Sequence, residues 1–290
     1  MNYPLVSICI PTRNGSKFIE EAILSALNQD YSNLEIIVSD DASTDSTLDI
    51  IKKNIRDYSI PVHIYHHKPS GIGSNWNHCI EKANGEYVKF LFQDDIHEPD
   101  CISGMMEIAL TNERIGLVFC KRKIQYNKQD QSQSAWVDMY QNVHSNWTSL
   151  TEIQSGRELL NDKNLLKEPQ NKVGEPTAVL LKKEVFATVG YFNTKLKQAL
   201  DLEFWFRVFT KFDVVFVNSE LVSFRLHENQ ASAQNVNEKI IDHNLYPKLL
   251  FRNCFMYLHK NVRRDLFYRT TLLGKFIFRI KNRGKKLFHG

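Results

Sequence analysis

Two pairs of adjacent carboxylates, Asp40-Asp41 and Asp94-Asp95, each close a short apolar run, Leu34–Val38 and Tyr87–Phe92. Such runs read as strands. In open α/β sheets, ligands bind beyond the carboxyl ends of the strands. Two acidic pairs at two such ends therefore face one crevice. Neighbouring carboxylates repel each other, so placing them together suits a cation or a polyhydroxyl ligand. One pair alone reads equally well as a helix cap or a solvated turn; the repetition favours a ligand. A third acid, Asp201, stands ahead of Glu203, Phe204, Trp205 and Arg207 on a helical stretch. A carboxylate there, taken alone, reads as an N-cap for that helix. His227 on its own is a polar surface residue or a ligand. His63, His66 and His67 do not suggest zinc, because neighbours on a strand end point to opposite faces.

The elements that must hold these residues alternate. Val6–Ile10 is a β-branched run ended by Pro11 and predicts a first strand. Ser16 stands where an N-cap belongs, before Phe18, Ile19, Ala22, Ile23 and Ala26 at helical spacing. The Leu34–Val38 strand is followed by a helix through Leu48, Ile51 and Ile55, capped by Thr44 or Ser46. Val62–Tyr65 predicts a third strand, Asn75–Ala83 a helix, Tyr87–Phe92 a fourth strand. Pro99 opens another helix before a fifth strand at Ile115–Phe119. These strands are continuously apolar, which predicts an α/β fold with a mostly parallel sheet covered by helices on both faces. Residues 125–151 are Gln-, Ser- and Asn-rich with Trp136, Tyr140 and Trp147, and read as an excursion or flexible loop near a binding site. Helical signals return at Gly156–Leu160, Lys183–Val189 and Ala199–Phe209. A strand at Val214–Val217 follows, and from Val236 the chain reads as helical.

Composition sets outer bounds. The 290 residues are 42% hydrophobic and 24% charged, which excludes a disordered or collagen-like chain. No run approaches the roughly 20 apolar residues of a membrane span. Met1–Pro4 lacks a basic region, and Leu5–Ile10 is too short for a signal peptide, so the expected location is cytoplasmic. The five scattered cysteines read as reduced, mostly buried thiols. Net charge is +4, but seven basic residues and no acid follow Asp265. Without them, 30 basic residues face 33 acidic ones, so the basic character belongs to the tail and an acidic surface is its natural partner.

Four segments together resemble family 2 glycosyltransferases: Val6–Asn14, Glu35–Asp45, Gly85–Asp95 and Ala199–Arg207. They occur in order and at the usual spacing, and the resemblance runs from about residue 5 to 232. It implies a GT-A fold, a nucleotide-sugar donor, a divalent cation (Mn or Mg) and inversion at the anomeric carbon. It implies that Pro11 and Thr12 line the nucleotide base, that Asp40 or Asp41 accepts from the base ring, and that Asp94 binds the ribose. It further implies Asp95 as a metal ligand, Asp201 as general base with Glu203 a second candidate that otherwise reads as structural, and His227 as a contact to the metal or diphosphate. The expected organisation is a catalytic domain over 1–235, with a donor half to about 122 and an acceptor half over 123–235, then a helical extension over 236–290.

This chain departs from the family pattern at three places. Phe92 and Gln93 stand at the first two positions of the usual Asp-x-Asp-Asp, Leu200 replaces the Glu of Glu-Asp, and Trp76-Asn77 replaces an Arg-Asn pair. The expected reaction is transfer of a sugar to a hydroxyl of a glycan or lipid-linked glycan. Phe92 and Leu200 keep open a non-catalytic sugar-nucleotide or glycan-binding protein. A nucleotidyltransferase would need a basic phosphate loop after the first strand, where only Arg13 and Lys17 stand. Leu273, Phe276, Ile277 and Ile280 fall on one helical face among basic residues. That pattern is an interfacial helix at an anionic membrane surface, or a helix packed on the catalytic domain. Bases clustered only at the end argue against nucleic acid as a partner.

Overall fold

All seven residues of β1 (Val6–Thr12) are buried, as are all seven of β2 (Leu34–Asp40). Two faces are therefore covered, and successive side chains enter different cores. Ile8 and Ile10 join Ile19, Ile23, Ile51, Ile102 and Met105, whereas Cys9 joins Phe90, Phe204, Trp205 and Phe209 on the other side. The helices of the first core are α1 (Ile19–Leu27), α2 (Thr47–Asn54) and α4 (Cys101–Ala109). The second core lies under α3 (Ile72–Lys82), α6 (Gly156–Leu160), α7 (Glu184–Val189) and α8 (Leu200–Phe209). At roughly 1.5–3 kcal/mol for each large apolar side chain fully buried, these layers dominate what holds the fold.

This computed structural model describes residues 3–228, 230 and 241–287, with backbone alone for 281–287. The remaining strands are β3 (Val62–His66), β4 (Tyr87–Phe90), β5 (Ile96–His97), β6 (Ile115–Gln125), β7 (Ile153–Ser155), β8 (Val179–Lys182) and β9 (Asp213–Arg225). The sheet runs β3-β2-β1-β4-β8-β6-β9-β5, with β7 also on β9. The long pairings, β1 with β2, β2 with β3 and β6 with β9, are parallel. The ends of β1, β2 and β4 consequently share one edge, where both acidic pairs lie.

Several elements differ from the sequence expectation. β8 was not predicted; it enters antiparallel between β4 and β6. β5 and β7 were not predicted either, and β6 and β9 run well beyond their apolar starts. β6 passes through residue 122, so the expected donor–acceptor division falls inside a strand. Ser16 caps nothing: α1 begins at Ile19, and its N-cap position, Phe18, makes no side-chain cap bond. Neither Thr44 nor Ser46 caps α2; Asp45 accepts from the Thr47 N–H at 3.0 Å. The excursion near a binding site contains a helix, α5 (Gln131–Tyr140), whose N-cap Asp130 accepts from Ser132 and Gln133. After β9 come α9 (Asp242–Cys254), α10 (Lys260–Thr270) and α11 (Leu272–Leu287). The helical start read at Val236 and the side chains of Lys281, Arg283, Lys285 and Lys286 lie outside the described residues. All five cysteines are free and buried.

Candidate active site

Asp40 ends β2 fully buried and its carboxylate is saturated. It accepts from Thr12 Oγ1 (3.1 Å), the Ser43 N–H (3.0 Å), the Ser43 hydroxyl and His66 Nδ1 (2.7 Å). Burial works to raise the carboxyl, but bonds from Ser43, His66 and Thr12 outweigh it and hold it below the ordinary range. Asp41 accepts from the backbone N–H of Ser70 (2.6 Å) and of Gly71 (3.1 Å), with Arg13 Nη1 at 3.6 Å. Gly71 has φ +85, a region open to glycine at little cost, and this turns its N–H onto Asp41 while starting α3. Pro11 and Thr12 lie beside these acids at the end of β1, and Thr12 O receives Asn75 Nδ2 at 3.3 Å.

The family departures are structurally paired. Phe92 and Trp76 stack on each other, ring centroids 5.0 Å apart at 26°. The missing carboxylate and the missing arginine are thus replaced by two aromatic faces in contact. Gln93 clamps the end of β1 instead: its Oε1 accepts from the Arg13 N–H at 2.8 Å, and its Nε2 donates to Arg13 O at 3.2 Å. Leu200 is buried against Gly73, where even a Cβ would collide with it.

Asp95 is buried just beyond β4. Its Oδ2 accepts from the Thr177 hydroxyl at 2.7 Å and its Oδ1 from the Arg225 N–H at 3.1 Å. Asp94 meets His227 Nε2 at 2.9 Å, and His227 Nδ1 is buried with no partner. Burial and then the neighbouring Asp94 both push the Asp95 carboxyl upward. Two adjacent carboxyls beside an imidazole with an unpartnered nitrogen are a donor set that fits Mn²⁺ or Mg²⁺, and a cation there would favour the ionised form of both. Among the described residues no three His, Cys, Asp or Glu side chains converge into a full metal cage. The remaining coordination would fall to phosphate oxygens and water. The three strand-end histidines likewise form no such cage: His66 serves Asp40, and His67 Nε2 meets Ser39 Oγ and Asn75 Oδ1, each at 3.1 Å.

Asp201 lies in the first turn of α8. Its Oδ1 accepts from the Leu202 N–H at 2.7 Å and its Oδ2 from Asn171 Nδ2 at 2.8 Å. Burial of the carboxyl raises it to about 7, against the pull of these bonds and of Arg122. Glu203 is different. Both its oxygens lie within 3.0 Å of the Arg207 guanidinium, and the pair packs toward α9.

Sequence reasoning missed four residues here. Arg122 is buried on β6, paired with Glu175 and donating to Tyr140 O at 2.7 Å. Its charge acts on both Asp95 and Asp201, and burial draws it down to about 10, so it stays cationic at neutral pH. Asn171 and Thr177 steady Asp201 and Asp95. Lys172 sits beneath them, donating to the carbonyls of Leu165 (3.2 Å), Lys167 (2.9 Å) and Pro169 (3.0 Å). None of the four carries a signal in the sequence, because the burial of a cation such as Arg122 becomes visible only in the fold.

Comparison with known proteins places this edge in context. An uncharacterised Mycobacterium tuberculosis protein is 30% identical over 225 residues, covering 77% of this chain and 67% of that protein. An uncharacterised glycosyltransferase of Rickettsia felis is 29% identical over 266 residues, 91% of this chain but 40% of the relative. The chain thus spans well under half of the rickettsial protein. Staphylococcus aureus TarS 1–349 in complex with UDP-GlcNAc matches with a TM-score of 0.66 at 20% identity, over 90% of this chain and 70% of that one. A Pyrobaculum calidifontis mannosyltransferase with GDP-Man and Mn²⁺ matches at 0.58 and 16% identity, over 98% and 81%. At these identities the structural likeness is one of fold. The sequence profile described as glycosyl transferase family 2 matches residues 7–187, a stretch holding both acidic pairs and most of the sheet. The chain belongs to glycosyl transferase family 2 and is a transferase.

Proposed function

We propose that the protein is an inverting glycosyltransferase. It moves a sugar from a nucleotide-sugar donor to a hydroxyl of a glycan or lipid-linked glycan. The observation that carries this is Asp201: a proton-accepting carboxyl, raised to about 7 by burial and held by Asn171 at the start of α8. A second free carboxylate at the reacting face would suit double displacement; Glu203 is committed to Arg207. One base and one displacement give inversion.

In this reading the end of β1, Pro11 and Thr12, lines the base. Asp40 or Asp41 accepts from the base ring. Asp94 takes the ribose hydroxyls. Asp95 and His227 would hold the divalent cation, which when bound supplies neutralisation of charge on the departing diphosphate. The acceptor oxygen attacks the anomeric carbon as Asp201 takes its proton, and the bond from that carbon to the phosphate oxygen breaks. Arg122 stays charged between the two carboxyl sites and steadies both. Residues to about 122 serve mainly the donor and residues 123–235 mainly the acceptor, with His227 returning to the donor side. The reaction runs at the cytoplasmic face of a membrane, with the basic tail as the attachment; no helix among the described residues is long and apolar enough to cross one.

The test is a screen of UDP-, GDP- and dTDP-sugars with Mn²⁺, following nucleotide release and thermal shift. Stabilisation by one donor, with release that depends on acceptor and on Asp201, supports the reading. Donor binding without turnover on any glycan acceptor would instead make this a binding protein.

A further inference from the structure

Helix α10 turns Val262 and Leu266 into the catalytic core, where both are buried. Its other side carries Lys260, Arg263, Arg264 and Phe267. With Phe255 these line a groove of about 320 Å³. Arg263 lies 5.6 Å over the Phe255 ring, which holds the guanidinium at the groove. Met256, next in the chain, is 77% exposed.

Helix α11 folds back on α10 through Gly274 and Phe278. A Cβ on Gly274 would strike the Phe267 carbonyl, and the Phe278 ring is 5.8 Å from Tyr268. On a helical wheel these two positions lie roughly 40° apart, while Leu272, Leu273, Phe276 and Ile280 occupy a different arc of roughly 100°. That arc is bare: Leu272 is 89% exposed, and Leu273 and Phe276 are each 61% exposed. Lys275 and Arg279 border it and are exposed too. From Phe255 to Leu287 the one acid is Asp265, and it is paired with Arg269 at 3.0 Å. Of the stripe that the sequence marks as amphipathic, Leu273, Phe276 and Ile280 therefore lie off the face by which the helix packs, and Ile277 is half-buried at its border. A second copy of this surface would bring like charges together. An anionic bilayer satisfies both the apolar arc and the cations around it.

We propose that α10 and α11 form one docking surface for an anionic membrane, in which Lys260, Arg263 and Arg264 take lipid phosphate in the groove between Phe255 and Phe267 while the Leu272–Leu273–Phe276–Ile280 arc enters the acyl boundary. This rests on the membrane-side reading above, and deepens it from a basic tail to a built surface with a headgroup site.

The test uses flotation of the full chain with vesicles of phosphatidylcholine, alone or mixed with phosphatidylglycerol, at low and at about 0.5 M salt. The wild type should float with the mixed vesicles alone. Arg263→Gln with Arg264→Gln should weaken flotation roughly tenfold or more. The charge-keeping Arg263→Lys with Arg264→Lys should retain it. Leu273→Ser with Phe276→Ser should weaken it in a way that high salt does not mimic. If truncation before Leu272 abolishes flotation while the Gln pair floats as well as wild type, the headgroup groove is wrong and the tail reading stands. If the truncated chain floats fully and the Gln pair does not, the groove stands and the tail reading fails. Flotation equal on both vesicle types, or a wild-type dimer that Leu273→Ser with Phe276→Ser makes monomeric, overturns the proposal. Turnover on a soluble acceptor should be unchanged in all these variants.

Discussion

Asp201 ties chemistry to stability. Its carboxyl titrates near 7 in the folded protein and near 3.8 when unperturbed. Between those values the folded state holds a proton the unfolded state has lost. Stability contributed at low pH is therefore lost as pH rises through that window. Asp201→Asn removes this loss. The melting temperature of Asp201→Asn minus that of wild type, without divalent cation, should grow from pH 5 to pH 8; a shrinking gap would place the raised carboxyl elsewhere. The same variant should keep donor affinity and lose roughly 10²–10⁴ in kcat. The Asn171 bond favours the ionised form, so Asn171→Ala should move the acid limb of the kcat profile to higher pH, with KM for donor unchanged. Asp95→Ala should abolish Mn²⁺-dependent donor binding, measured calorimetrically, since a hard-ion site loses a direct oxygen ligand.

At the scale of elements, the departures from the family pattern work as packing. The Trp76–Phe92 stack joins α3 to the segment after β4. In a double-mutant cycle with alanine, denaturant unfolding should give a coupling of about 0.5–1.5 kcal/mol; additive losses would mean that the rings merely fill space. Lys172 organises the segment from Leu165 to Asn171 by holding three carbonyls. Lys172→Met leaves these buried acceptors unpaired, so it should cost about 1–3 kcal/mol and lower kcat through Asn171. Much of this architecture was legible. Acids at strand ends are local features, and β1, β2 and β4 are apolar on both faces because both are covered. β8 was not legible: four residues beside a helical pattern carry no period of their own, and their place between β4 and β6 is a tertiary fact. Thr177 and Asn171 lie in polar segments with no periodicity, so no local signal marks them. The early helix caps failed because Asp45 and the backbone of Gly15 took over the bonds that Ser16 and Ser46 were expected to make.

Across the whole molecule, the inserted strand fixes an order of assembly. β4 carries the segment that ends in Asp94-Asp95, yet one of its neighbours in the sheet is β8, about 90 residues further along the chain. Thr177, which steadies Asp95, lies immediately before β8. During synthesis, β4 must leave the ribosome with an open edge and wait. At about 5–20 residues per second, that wait is roughly 5–20 seconds. An unpaired apolar edge is a template for misplaced pairing during that interval. Because Asp94 and Asp95 also lean on His227 and on the Arg225 N–H, retention of nucleotide by ribosome-bound chains of increasing length should switch on only once His227 has cleared the exit tunnel; capture by chains that stop before Val179 would mean that the proposed donor site closes without its late strand. The sheet beneath the two acidic pairs is thus completed late in translation, by a strand slotted between β4 and β6.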